Sequence, residues 1–209
     1  MSELLILGAG GHGKVVAEAA RDGGDWRRIA FLDDRHPDLD HVLDWPVLGR
    51  CEDAADLRAD FTHAAVAIGD AGLRLAWLER LAALGYRLDP IVHPSASISR
   101  SARLDAGVVV LAQAAINAGT IVGRGSIVNT GASVDHDCLL GEGVHVCPGA
   151  RIAGEVRIGD GSWIGIGASV VQCLTIGRGV TVGAGAAVIA DVADGLTVVG
   201  VPARELRSS

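Results

Sequence analysis

Aromatic residues make up only 3% of the 209 residues and there is a single Met, so the interior must be built from small aliphatic side chains. A helical bundle rich in Leu and Phe is excluded by the same scarcity. Lysine is nearly absent: Lys14 is the only one, and the other 17 of the 18 basic residues are arginines scattered singly. With a formal net charge of −7 and no basic stripe, the chain lacks the footprint of a nucleic-acid binder. No apolar run reaches the roughly 18 to 20 residues that cross a bilayer, so no membrane partner is expected. The chain runs from Met1-Ser2-Glu3 straight into Leu4-Leu5-Ile6-Leu7, without the basic leader and long apolar core of a secretory signal, which predicts a cytoplasmic protein. The four cysteines, Cys51, Cys138, Cys147 and Cys173, form no CxxC pair and are read as reduced, structural thiols.

What the chain has in quantity is glycine, 29 residues, within a composition that is 49% hydrophobic. Charge is divided unevenly: residues 1–90 hold 10 basic and 16 acidic residues, residues 91–209 hold 8 and 9. That shift places a domain boundary near Pro90. Before it, strand and helix patterns alternate: Leu4 to Leu7, a glycine turn, Val15 to Arg21, then Ile29 to Leu32 ending in Asp33-Asp34. Ala64 to Ile68 reads as a buried strand leading into a helix with Leu73, Trp77, Leu81 and Leu84 on one face. Strands alternating with helices imply a parallel sheet, hence an α/β domain over residues 1–90.

After Pro90 the period becomes six. Stepping by six from Ile98 to Val188 meets Val, Ile or Leu at every one of sixteen positions, and four places after these sit small residues such as Ala102, Thr120, Ser126, Ala132, Cys138, Ala150 and Ser162. This is a hexapeptide repeat. Gly-x-Gly recurs at 123/125, 141/143, 159/161 and 177/179, and again at 165/167 and 183/185, always 18 apart. Three hexads therefore close one coil, each aliphatic residue points inward, and the stacked coils make an all-β prism roughly 25 Å tall. The repeat domain is expected over residues 91–193, with residues 194–209 as a C-terminal cap, because stacked coils need capped ends.

Two constellations carry chemistry. Gly8-Ala9-Gly10-Gly11-His12-Gly13 matches GxGxxG after a strand and before a helix, with Asp33 twenty residues beyond Gly13. Such a turn lets backbone N–H groups reach a phosphate at a helix N-terminus, the acidic residue taking a ribose hydroxyl, and Lys14 adds positive charge there. About 90 residues are few for a complete dinucleotide fold, and the prism offers no nicotinamide pocket. A redox NAD(P) protein is therefore the lesser reading. In the prism, His136 stands between two acids in Val134-Asp135-His136-Asp137-Cys138 and is expected to be exposed near a turn. A neighbouring carboxylate fixes the imidazole tautomer and raises its basicity, as a general base near neutral pH requires.

His145 is nine residues on, half an 18-residue circuit, so the two histidines should lie on different sides of one prism. In a side-by-side trimer they could meet across subunits, and a homotrimer with intersubunit sites is expected. Catalytic zinc normally takes three protein ligands. The prism supplies two histidines, with His93 far off beside Pro94, so no metal is expected.

The motifs Gly8-Ala9-Gly10-Gly11-His12-Gly13-Lys14-Val15-Val16, Phe31-Leu32-Asp33-Asp34, Ala67-Ile68-Gly69, Ile91-Val92-His93-Pro94-Ser95-Ala96, Asp135-His136-Asp137 and Val199-Gly200-Val201-Pro202-Ala203 together resemble one bacterial family. It comprises the left-handed β-helix acyltransferases that acetylate nucleotide-linked amino sugars, with the related sialic acid O-acetyltransferases. The resemblance spans essentially the whole chain. It implies a Rossmann-like N-terminal domain that grips a UDP- or GDP-linked sugar, a left-handed parallel β-helix, and acetyl-CoA as co-substrate. Carried over by residue, Gly10, Gly11, His12, Asp33, Asp34 and Gly69 would contact the sugar nucleotide. His136 would be the base, with Asp137 raising its basicity. Relatives commonly have Glu after this His, and the shorter Asp leaves either Asp137 or Asp135 as the contact. His145, Gly154, Ile166 and Ala184 fall where relatives contact acetyl-CoA, Ala184 replacing a usual Gly. N-acetylation suits an intact nucleotide pocket better than O-acetylation of free sialic acid, and a non-enzymatic trimeric scaffold is the alternative of another class.

Overall fold

The structure, a computed structural model, describes residues 2–24 and 26–206. The chain divides into two compact units between Pro94 and Ser95.

The first unit is built on a parallel sheet. Strand β1 (Ser2–Leu7), helix α1 (Gly11–Gly23) and strand β2 (Trp26–Leu32) are followed by a small antiparallel pair, β3 (His41–Val42) and β4 (Trp45–Pro46). Strand β5 (His63–Val66) and helix α2 (Ala71–Ala83) complete it, and β1 lies between β2 and β5, parallel to both. The strands are continuous apolar runs because both faces of such a sheet are covered. Leu5, Leu7, Ala30, Leu32, Ala64 and Val66 pack with Phe61, Leu78 and Leu81.

Helix α2 does not bury the face expected from its leucines. Leu73 and Leu84 are exposed, and the buried residues are Arg74, Leu78 and Leu81. The helix is rotated because the Arg74 guanidinium turns inward, its Nη1 donating to the carbonyls of Ile68 and Gly69 at 2.7 and 2.8 Å. Those two carbonyls lie just past the end of β5 and need a donor. A hydrophobicity pattern counts Arg as an outward residue and so misplaces the face.

The second unit is the hexad solenoid. Sixteen two-residue strands run from Ser97–Ile98 to Ala187–Val188, each ending on the hexad aliphatic. Fourteen of those sixteen side chains are buried; only Ile98 and Leu104, in the first coil, are partly open. The strands stack in parallel with an 18-residue register, Ala115 on Ser97, Ser133 on Ala115, Arg151 on Ser133. This makes three faces: a first with the strand at 133–134, a second with that at 139–140 and a third with that at 145–146.

At the corners, buried hydroxyls tie one coil to the next. Thr120 donates to the Asp135 carbonyl at 2.6 Å and accepts from the Cys138 N–H at 3.1 Å. Ser126 and Ser162 make the equivalent pairs of bonds at other corners. In the tail, Thr197–Val199 adds a parallel rung to Thr181–Val182 and Arg204–Glu205 folds back on it antiparallel. The last part of the expected cap, residues 207–209, lies outside the described residues.

Candidate active site

In the first unit the glycines of the turn divide the work. Gly8 sits at φ +99°, where a side chain would press on the Ala67 carbonyl, and a Cβ on Gly13 would overlap the Gly8 carbonyl. These two make room for helix against strand. Gly10 and Gly11 have open space on the side where a Cβ would project. They line a cleft of about 240 Å³ with Ala9, Lys14, Arg35, Leu39, His41 and Leu43. The cleft therefore pairs the N-terminus of α1 with two cations, Lys14 and Arg35, an arrangement suited to a phosphate-bearing ligand.

Asp33 is not free for a ribose hydroxyl in this arrangement. Its carboxylate accepts from the Ala9 N–H at 2.8 Å, the Arg35 N–H at 3.0 Å, Arg35 Nε at 2.7 Å and Arg35 Nη2 at 3.0 Å. The Arg35 side chain, with those N–H groups, holds its pKa down at about 2, against a smaller opposing effect of burial. Asp33 thus shapes the turn and orients Arg35. Of the other residues expected here, Asp34 accepts from the Cys51 N–H at 3.1 Å, and Gly69, open at its Cα, gives its carbonyl to Arg74. Arg35 and His41 were not anticipated. Arg35 could have been, as the cation two places after the acid in Asp33-Asp34-Arg35.

His12 is largely buried. Burial first, and the Arg74 charge second, push its pKa from 6.5 down to about 4, so it is neutral at pH 7 and can accept or donate a hydrogen bond without carrying charge. The unfolded chain takes up this proton below pH 6.5 whereas the folded chain resists it until about pH 4. Stability should therefore fall by up to about 3 kcal/mol across that window. Urea unfolding at pH 7 and pH 4.5 should show the loss in the wild type and a smaller one in His12→Gln; an equal loss in both would contradict it.

In the second unit, His136 lies on the corner that follows the first face. Its side chain is half exposed, and its Nδ1 is 2.9 Å from Asp137 Oδ2. Asp137 is the ring partner. Asp135 instead accepts the His136 backbone N–H at 2.8 Å and the Asn117 side-chain amide at 2.8 Å, which fixes the corner. The hydrogen bond to Asp137 raises the His136 pKa above its ordinary value, assisted by the charges of Asp135, Asp137 and Glu155 and opposed by burial. With Nδ1 directed to a carboxylate, Nε2 is the nitrogen left for proton transfer. That edge of the ring occupies the space a side chain at 154 would take: a Cβ on Gly154 would lie 2.5 Å from Nε2. Gly154, expected as an acetyl-CoA contact, is thus brought against the imidazole one coil on.

His145 faces outward on the third face yet is buried, with Asn129 Nδ2 donating to its Nε2 at 3.0 Å and the Trp163 ring edge-on at a centroid distance of 4.2 Å. Ile166 and Ala184 are exposed at the corner after this face, one coil apart. One prism therefore holds His136 and His145 on different sides. The expected acetyl-CoA contacts fall into two groups, Gly154 beside His136 and the other three around the third face. Asn117 and Asn129 were missed, although Asn117 stands 18 residues before Asp135, the coil register itself.

Among the described residues the four cysteines are free, with Cys51, Cys138 and Cys147 buried. Burial raises the Cys138 pKa and pushes that of Cys147 up to about 12. No group of three or more His, Cys, Asp or Glu among the described residues could hold a metal ion.

A hexad solenoid presenting a His–carboxylate pair at one corner, in a chain that also carries a glycine-turn α/β unit, has the build of a hexapeptide-repeat acyltransferase. The PglD N-terminal domain family matches residues 3–81. The acetyltransferase domain of PglB from Neisseria gonorrhoeae FA1090, solved in complex with acetyl coenzyme A, is 46% identical, with a TM-score of 0.95 over 98% of this chain and 99% of that chain. PerB from Caulobacter crescentus, solved in complex with CoA and GDP-perosamine, is 39% identical, with a TM-score of 0.91 over 99% of this chain and 98% of that one. UDP-N-acetylbacillosamine N-acetyltransferase from Bacillus subtilis (strain 168) is 36% identical over 114 residues, 54% of this chain. That match spans about half the length of the curated relative, 52%. The chain belongs to this family of left-handed β-helix, hexapeptide-repeat sugar N-acetyltransferases.

Proposed function

We propose that this chain transfers the acetyl group of acetyl-CoA to the amino group of a nucleotide-linked amino sugar. The observation that carries the reading is the likeness over 98% and 99% of this chain, at 46% and 39% identity, to a PglB acetyltransferase domain solved with acetyl coenzyme A and to PerB solved with CoA and GDP-perosamine. It is joined to a His136–Asp137 pair at the hydrogen-bond distance a general base needs. The cleft of Gly10, Gly11, Lys14 and Arg35 takes the phosphates of the sugar nucleotide. His136 Nε2 accepts a proton from the attacking amine as the new N–C bond forms, the C–S bond breaks, and the departing CoA sulfur takes up a proton to leave as the thiol. Asp137 holds the tautomer and stabilises the imidazolium. Transfer is direct, with His136 activating the acceptor amine itself; burial keeps Cys138 and Cys147 as neutral thiols, a thiolate being the nucleophilic form.

The catalytic assembly is a homotrimer in which His136 of one copy works beside the His145 face of another. The placement of the two histidines on different sides of one prism favours this. The buried free thiols suit the reducing cytoplasm. No helix among the described residues is long and apolar enough to cross a membrane.

Release of CoA thiol from acetyl-CoA, measured against a panel of UDP- and GDP-linked amino sugars with free sialic acid as comparator, tests the reading. Turnover with a nucleotide amino sugar is the expected result. Turnover with sialic acid alone would move the reaction to O-acetylation, and no acetyl-CoA binding with titratable NAD(P) would replace it by a redox function. Activity should also fall on dilution as the trimer dissociates in sedimentation; a fully active monomer would contradict the intersubunit site.

A further inference from the structure

We propose that Gly119 is a positioning residue for the reacting histidine: its missing side chain is the space into which the Asp137 carboxylate folds to meet His136 Nδ1. The proposal rests on the reading of His136 as the base, but its structural half can be tested without that reading.

Gly119 stands one coil before Asp137, at the same corner of the prism. The two backbones are held in register by the Asp137 N–H donating to the Ala118 carbonyl at 2.8 Å, and the Gly119 N–H donates in turn to Ser101 Oγ, one coil earlier, at 3.1 Å. A Cβ placed on Gly119 would overlap Asp137 Oδ1, with Asp137 Cγ at 3.4 Å. It is the same carboxylate whose other oxygen, Oδ2, is 2.9 Å from His136 Nδ1. Pushed off Gly119, the carboxylate cannot keep that bond at its present rotamer.

Backbone conformation does not by itself account for the glycine. Gly119 has φ +73°, but the residues that stack at this corner in the following coils, Asp137, Glu155 and Cys173, have φ of 56°, 61° and 61° and all carry side chains. The left-handed conformation is therefore tolerated here by other residues, as short polar ones at tight turns often do. What the glycine supplies is room for the carboxylate that lies over it. The charged groups that face His136 are Asp135 and Asp137 on its own corner and Glu155 on the next coil; only Asp137 contacts the ring nitrogen, so moving it changes both orientation and basicity.

The test compares Gly119→Ala, Asp137→Ala, the double variant and Gly161→Ala in the full chain. Gly161 has φ +67° and open space where a Cβ would go, so its variant carries the backbone strain without the overlap. NMR titration of the His136 ring should give midpoints lowered by about one pH unit in Gly119→Ala and Asp137→Ala, and unchanged in Gly161→Ala. In turnover, kcat at pH 7 should fall at least about 10-fold in the first two, with KM for acetyl-CoA unmoved and the acid limb of the pH profile shifted to lower pH. The double variant should be no worse than Asp137→Ala, because both remove one interaction.

A wild-type His136 titration in Gly119→Ala, or losses that multiply in the double variant, would overturn the proposal. A lowered titration with kcat unchanged in both single variants would uphold the positioning and contradict the general-base reading. Should Gly119→Ala fail to fold, the double variant folds if overlap is the cause. Its failing as well would place the requirement in the backbone and overturn the proposal.

Discussion

Replacing His136 by alanine is expected to lower kcat by about 10²- to 10⁴-fold, the range seen when a positioned general base is lost. The side chain is half exposed and its one short side-chain contact is the bond to Asp137, so the prism core is untouched and the variant should fold as the wild type does. Acetyl-CoA affinity, measured by calorimetry, should be nearly unchanged, which separates a lost proton acceptor from a lost binding surface. The residual rate should rise with pH as the amine loses its proton to solvent rather than to the imidazole. The wild-type rate should instead rise through the His136 pKa, held above the ordinary histidine value chiefly by Asp137, and level off above it. A folded His136→Ala variant with wild-type kcat would end the assignment.

Asp33→Ala should raise the KM for the nucleotide sugar by about 10- to 100-fold while leaving kcat at saturation within a few-fold. The buried carboxylate accepts the Ala9 N–H and two guanidinium bonds from Arg35, and a hydrogen bond to a charged group contributes about 1.5–3 kcal/mol. Its loss frees the turn and lets Arg35 swing out of the cleft that Gly10, Gly11 and Lys14 share. The Asp33 carboxylate bonds within the first unit, to Ala9 and Arg35, so the acid limb of the kcat profile should stay where it is. Asp34→Ala, which removes a single bond to the Cys51 N–H, should cost far less. Equal effects from the two would show that the carboxylates act on the ligand directly rather than through the turn and Arg35.

The coil and its inward positions were legible because their cause is periodic, whereas the left hand of the solenoid came from the family resemblance and not from the period. An inward aliphatic every six residues and a glycine pattern every 18 set three strands to a coil, and the sixteen strands end on those aliphatic residues. The His136 corner was legible for the same reason: Val134 and Cys138 fixed the inward phases, which put the intervening histidine outside. Which acid held the ring was not, since Asp135 and Asp137 are equally near in sequence. The left-handed backbone of Asp137, φ 56°, turns one carboxylate toward Nδ1 and leaves the other to Asn117. In the first unit the strands and the glycine turn were plain from apolar runs and spacing. The face of α2 was not, because a buried Arg74 answering two carbonyls looks in a sequence like a solvated charge. That the Asp33 carboxylate serves the turn was not legible, because that demand, a turn N–H and a neighbouring arginine, is set by tertiary approach across 24 residues.

The most direct test of the central claim is product analysis after incubation with isotopically labelled acetyl-CoA and a nucleotide-linked amino sugar, read by NMR correlation of the labelled carbonyl. The label is expected in an amide on the sugar of the intact nucleotide conjugate, with no labelled acetyl-enzyme accumulating when the acceptor is left out. Label recovered as an ester, or carried covalently by the protein before any acceptor is added, would contradict it.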